Sequence, residues 1–134
     1  MEIIQINTNT RSELVDITRQ VALTVKEKGL SDGIVVVYSP HTTAAITVNE
    51  NADPAVQDDM IMKSEKLVER DDPAFRHAEG NSDGHLKSTL YGASETFIVQ
   101  DGKLQLGTWQ GIYFAEFDGP RTREVFIKVV GECA

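Results

Sequence analysis

Three histidines, His41, His77 and His85, are the residues of this chain best suited to proton or metal chemistry near neutral pH. His41 follows Ser39-Pro40 at the end of an apolar run. His77 lies in a long polar stretch, and His85 comes just after Gly80-Asn-Ser-Asp-Gly84. None sits within an apolar stripe, so each is placed where a fold presents side chains to a cleft. Neutral imidazole is the commonest transition-metal ligand, and one loop can supply both His77 and His85. Their spacing matches no standard metal signature. Two readings therefore stand on pattern alone: one shared metal site, or three separate surface histidines.

The segment Gly80 to Ser88 has the form of an anion site. Free amides at a helix start point at a ligand and the dipole favours negative charge, with Asn81, Asp83, Gly84, Lys87 and Ser88 as candidate ligand contacts. The P-loop spacing is absent, and a plain turn with Asp83 as N-cap reads equally well. Gly107-Thr-Trp-Gln-Gly111 sets the single tryptophan between glycines. Trp109 offers a flat face to a heteroaromatic ring, or it fills the core at a bulge. Glu50 and Asp53 are possible ligands for a hard cation such as magnesium, although Asp53 also reads as a helix cap. Arg121 and Arg123, beside Gly119-Pro120, either clamp a phosphate or are solvated turn residues.

The elements that must position these groups follow from periodicity. Ile3 to Thr8 alternates like a strand. Thr10-Arg-Ser-Glu13 has the form of a capping box, and Leu14, Ile17, Val21 and Val25 form a helical stripe ending at Gly29. Ile34 to Tyr38 reads as a buried strand broken by Pro40, and Ala44 to Val48 resumes it. Asp53-Pro54 starts a second helix through Val56, Met60, Ser64 and Leu67 to about Arg70. Residues 71 to 84 form a long polar loop, and Asp83 begins a third helix. Asp101-Gly102 is a strong hairpin signal between Thr96–Gln100 and Lys103–Leu106. Ile112–Phe117 and Glu124–Val130 are two further strands. About seven strands and three helices, with the hairpins late, predict a single α+β domain with a mainly antiparallel sheet.

Size and composition are those of one globular domain: 134 residues, 40% hydrophobic and 25% charged. A net charge of −8 argues against nonspecific nucleic-acid binding but leaves room for a local basic pocket. The lone Cys133 has no intrachain partner, which fits a reducing compartment. No signal peptide is evident, and no run approaches the ~20 apolar residues of a membrane span. The expectation is a soluble cytoplasmic protein that does not enter membranes.

Several motifs also fall in a recognisable order: Pro40-His-Thr-Thr-Ala44, Asn49-Glu-Asn-Ala-Asp-Pro54, His77 followed by Glu79-Gly-Asn81, Gly84-His-Leu-Lys-Ser88, and Gly107-Thr-Trp-Gln-Gly-Ile112. Together they resemble the YjbQ-type family, which carries the name secondary thiamine-phosphate synthase, over nearly the whole chain. The resemblance implies a compact homotrimer with a weak synthase activity that need not be the selected one. It also implies a divalent metal, zinc or magnesium, held by His41, His77 and His85. The reaction couples hydroxymethylpyrimidine diphosphate to a thiazole phosphate and releases pyrophosphate. In that reading His41, Glu50, Lys87 and Trp109 are the candidate catalytic residues. The phosphorylated substrate meets Asn81, Asp83, Gly84, Lys87, Ser88, Trp109, Gln110 and Arg121. Two other readings remain: a zinc-dependent hydrolase of a small phosphorylated metabolite with Glu50 as general base, or a non-catalytic trimer binding metal and metabolite.

Overall fold

Alternating β-branched and polar residues give this chain more strand than helix. The computed structural model describes residues 1–134. In order, the elements are β1 (Glu2–Asn7), β2 (Glu13–Asp16), α1 (Thr18–Glu27), β3 (Leu30–Tyr38), β4 (Ala44–Glu50), α2 (Pro54–Leu67), α3 (Ser82–Tyr91), β5 (Ser94–Gln100), β6 (Lys103–Leu104), β7 (Gln110–Glu116) and β8 (Thr122–Cys133). A five-stranded sheet runs β1-β8-β3-β5-β6, a three-stranded sheet runs β2-β7-β4, and every pairing is antiparallel. This is the α+β architecture expected, with β2 as an additional strand.

The core lies between the two sheets and α1. Val35, Val37, Val99, Val125 and Ile127 point inward from the larger sheet, Ile46, Ile112 and Phe114 from the smaller, and Ile17, Val21 and Val25 from around α1. Each side chain of this size contributes about 1.5–3 kcal/mol when fully buried. The apolar run Ile34–Tyr38 is expected to be buried throughout, but only alternate residues are. Successive strand side chains face opposite ways, and nothing in the single chain covers the outer face. Ile34, Tyr38, Ile98 and Val130 are therefore exposed there, and Tyr38 stacks on Phe126 with ring centres 6.2 Å apart.

The first helix starts later than the capping pattern implies. Glu13 does accept from the Thr10 amide at 2.7 Å and the Thr10 hydroxyl at 2.8 Å. Those bonds close a loop, because Glu13–Asp16 pairs with β7 from Glu116 to Tyr113. The helix begins at Thr18, whose amide and hydroxyl donate to the Asp16 carboxylate at 2.9 and 2.6 Å. Asp53 caps α2 as expected, accepting from the Ala55 amide at 3.0 Å with Pro54 in the first turn. Asp83 does not cap α3: the cap position is Asn81, and it makes no side-chain cap bond. At the β5–β6 turn Asp101 and Gly102 both take positive φ, 52° and 74°, the backbone that a two-residue hairpin of matching twist requires. No helix is long and apolar enough to cross a membrane.

Candidate functional site

Three breaks in the strands meet at one end of the molecule. Ser39-Pro40 ends β3, and the turn that follows carries His41, Thr42 and Thr43 toward β4. The loop after α2 brings His77 and Asn81, and the first turns of α3 bring His85. The turn from β7 to β8 brings Asp118 and Arg121, with Arg123 just inside β8. These segments enclose a cavity of about 450 Å³ lined by 11 residues, none hydrophobic, among them His41, His77, His85, Asn81, Arg121 and Arg123. A neighbouring hollow of about 480 Å³ shares His41, Thr42 and His85 and adds Ser88. The three histidines thus line one cavity.

His41 is anchored by its distal nitrogen. The Glu124 amide donates to Nε2 at 2.9 Å, and the Glu124 carbonyl lies 3.1 Å from the same atom. Those contacts suit the two neutral tautomers in turn: Nε2 accepts from the amide, or it donates to the carbonyl and leaves the Nδ1 lone pair available. Burial lowers the His41 pKa first, and the positive Arg123 lowers it further, so the ring is neutral at pH 7. A neutral imidazole with a backbone acceptor on its far nitrogen is the usual form of a metal-binding histidine.

The donor chemistry fits a divalent metal, while the arrangement is only partly assembled. The His77 and His85 rings lie 5.6 Å apart, nearly perpendicular. Two imidazoles on one tetrahedral zinc, with Zn–N about 2.1 Å, have ring centres about 5 Å apart. No three His, Cys, Asp or Glu side chains are already gathered closely enough to hold an ion. His77 is half-exposed, with Nε2 3.8 Å from Glu79, so its side chain has room to turn.

Behind the cavity lies a buried ion pair. Arg123 donates through Nε to the Glu116 carboxylate at 2.9 and 3.2 Å and through Nη2 to Glu116 Oε2. Nη2 also donates to the Thr43 hydroxyl at 2.9 Å. Glu116 is 0% exposed and accepts further bonds from Thr8 Oγ1 and the amides of Phe117 and Asp118. A buried carboxylate survives only with its lone pairs satisfied in this way.

The helix segment expected to bind phosphate is turned mostly inward. Lys87 is 1% exposed and Asp83 0%. Lys87 meets Asp83 at 3.0 Å and Glu65 at 3.1 Å, and Asp83 also accepts from Arg11 at 2.9 Å. Arg11 reaches on to Asp118 at 3.3 Å, and Asp118 accepts from Asn81 Nδ2 at 2.8 Å and Arg121 at 3.1 Å. Lys87 and Asp83 thus belong to a chain of ion pairs that ends on cavity residues, and they are not cavity residues themselves. Gly84 is also a packing position: a Cβ there would sit 3.0 Å from the Phe117 carbonyl oxygen. Of the segment's candidates, Asn81 and His85 line the polar cavity and Ser88 the neighbouring hollow.

Glu50, Trp109 and Gln110 lie elsewhere. Glu50 pairs with Gln110 at the far end of β4, whose start follows His41. Seven extended residues put about 20 Å between those ends. The Glu50 carboxylate accepts from the Asp53 amide at 3.2 Å, and its carbonyl accepts from Tyr113 Oη at 3.0 Å. Burial, with Asp16 and Glu50 nearby, pushes the Tyr113 phenol pKa up. Trp109 is 62% exposed in a turn, neither in the core nor at the cavity, and Gln110 Oε1 accepts from the Gly107 amide. Sequence patterns missed Glu116, Asp118 and Arg11. The available signal for Glu116 was a lone carboxylate inside the apolar run Ile112–Phe117.

The same fold and nearly full length recur in known proteins. The family profile described as UPF0047 protein YjbQ-like matches residues 2–132. A UPF0047 protein of Methanocaldococcus jannaschii is 56% identical over 128 residues, covering 96% of this chain and 92% of that protein. The UPF0047 protein YugU of Bacillus subtilis is 50% identical over 131 residues, covering 98% and 99%. A crystal structure of a yjbq/upf0047 family protein from Clostridium acetobutylicum superposes with a TM-score of 0.95 at 48% identity, covering 97% of this chain and 100% of that one. A YjbQ-like protein from Sulfolobus solfataricus gives a TM-score of 0.93 at 36% identity, covering 98% and 96%. With the match spanning both sheets and every segment of the histidine-lined cavity, the chain belongs to the UPF0047, YjbQ-like family.

Proposed function

We propose that this protein is a metal-assisted enzyme acting on a small phosphorylated metabolite at the cavity lined by His41, His77 and His85. The observation that carries the reading is the convergence of three histidines and two arginines on one cavity with no hydrophobic lining. Most metabolite pockets are largely apolar, so a wholly polar one suits a compact, charged group. The three histidines would hold zinc, since imidazole nitrogens suit zinc and magnesium prefers oxygen ligands, and zinc when bound supplies positive charge to a phosphate leaving group. Asn81 and Arg121 would orient the phosphorylated substrate, and Ser88 would contact it from the neighbouring hollow.

The narrower form of the proposal is thiamine-phosphate synthase chemistry, which rests on the family resemblance. Lys87 and Glu50 then act by supporting structure and not by touching substrate. Trp109 has no place against the pyrimidine within one chain. The polar lining favours a second reading, hydrolysis of a small phosphorylated metabolite, because no Trp, Tyr or Phe lines the cavity. One assay separates them. The synthase releases pyrophosphate from hydroxymethylpyrimidine diphosphate only when the thiazole phosphate is present. Release without the second substrate supports the hydrolase, and no release under either condition, with metal supplied, removes both.

We also propose a cytoplasmic homotrimer. The apolar side chains exposed on the outer face of the larger sheet support self-association. The free, exposed Cys133 fits a reducing compartment.

A further inference from the structure

Arg123 and Arg121 are bonded alike. Each commits Nε and Nη2 to one acidic residue: Arg123 to the Glu116 carboxylate, Arg121 to the carbonyl and carboxylate of Asp118 at 2.9 and 3.1 Å. Neither Nη1 has an acceptor in the protein. Arg123 lies in β8 and Arg121 in the turn just before it, and both line the polar cavity.

The two arginines differ in burial. The Arg121 side chain is 50% exposed, whereas that of Arg123 is 4% exposed and fixed within β8. The side-chain atoms sealed away without a partner are Arg11 Nε, Asn81 Oδ1 and Ser88 Oγ. Arg123 Nη1 is not among them, so this unpartnered donor keeps a path to solvent, and the solvent beside Arg123 is the cavity. Burying a guanidinium is costly unless its hydrogens are used. Glu116 and Thr43 use one side of it and leave Nη1 free on a side chain that lines the cavity, already ordered and largely desolvated.

We propose that Arg123 Nη1 is the oxyanion-binding donor at the floor of this cavity, and that it receives the phosphoryl group of a small phosphorylated ligand, with Arg121 Nη1 closing on the same group from the rim. Paired arginines with planar donor faces suit a tetrahedral anion with several oxygens. Glu116 offsets the charge of Arg123, so the contact selects by geometry more than by net attraction. The proposal deepens the functional reading above by assigning the anion half of the site, and it rests on that cavity being the ligand site.

The test is calorimetric titration of the whole protein with inorganic phosphate, with and without zinc. Arg123→Lys keeps a cation against Glu116 but has no second nitrogen to offer. The double variant Glu116→Gln/Arg123→Gln replaces the ion pair with two neutral amides. Both should melt cooperatively and bind zinc like the wild type. Phosphate affinity should fall about tenfold or more, the scale of a lost charge-assisted hydrogen bond. Unchanged phosphate affinity in a folded Arg123 variant overturns the assignment, as does a wild type that binds zinc but no phosphate. If the wild type binds no zinc yet loses phosphate with Arg123, the metal reading fails and this one stands. Should neither Arg123 variant fold, Arg121→Gln on its exposed turn decides. A several-fold weakening supports the shared anion site, and no change overturns it.

Discussion

Lys87 donates to Asp83 at 3.0 Å one turn back along α3, with both side chains sealed from solvent and the Glu65 carboxylate 3.1 Å from the same ammonium. This pair does structural work that a surface lysine near a ligand would not. Lys87→Ala leaves Asp83 paired only with Arg11 and should cost about 1.5–3 kcal/mol of stability, the scale of a lost hydrogen bond between charged groups. Denaturant unfolding measures it. A loss under about 1 kcal/mol, typical of an exposed lysine, would contradict the burial.

The start of α1 makes a second prediction. Asp16→Ala removes the acceptor for the Thr18 amide and hydroxyl and should cost about 1 kcal/mol, as lost helix caps do. Thr10→Ala removes only an exposed loop contact and should cost less. The reverse order in thermal melts would place the helix start where the capping pattern put it.

His41 sets a pH dependence. Its pKa is lowered in the folded state below the ordinary 6.5, chiefly by burial and then by Arg123. Well above 6.5 the ring is neutral whether folded or unfolded and adds no pH dependence. As pH falls below 6.5 the unfolded chain takes up the proton first, so stability falls until the folded-state pKa is passed and is then level. His41→Gln should flatten this part of the curve, below about pH 7, in metal-free protein. An identical slope in wild type and variant would show that His41 is not the group responsible.

The outer face of the larger sheet predicts assembly. Ile34 and Ile98 are cross-strand partners exposed on that face. Light scattering of the wild type should give three times 14.8 kDa. Ile34→Glu with Ile98→Glu should give folded monomers, because the charges would have to be buried in the contact. A wild-type monomer at micromolar concentration removes the proposal.

Local chemistry was legible wherever it decided the structure locally. Asp53-Pro54 and Asp101-Gly102 dictate their backbone through a cap and a turn, and both are read correctly. Thr10-Arg-Ser-Glu13 makes only half of the expected box, since Glu13 accepts from the Thr10 amide while the Thr10 hydroxyl donates and caps no amide, and it is followed by a strand, because pairing with β7 outweighs a short helical stripe. The three histidines were identifiable from their positions, His41 and His85 just after turn formers and His77 within the long polar loop. The direction of α3 was not, since Lys87 and Asp83 look like surface residues until Glu65 and Arg11 arrive from distant segments. Glu50 and Trp109 stand out by composition, but strand register carries them to the other end of the smaller sheet.

The central claim is that His41, His77 and His85 act as one metal site, and the most direct test is competitive zinc titration of the wild type and the three single alanine variants. One shared ion predicts that each variant loses about tenfold or more in affinity, since even outer-shell losses reach that scale. Unchanged metal affinity in any two of the three variants would mean separate histidines that only share a cavity wall, and would contradict the account.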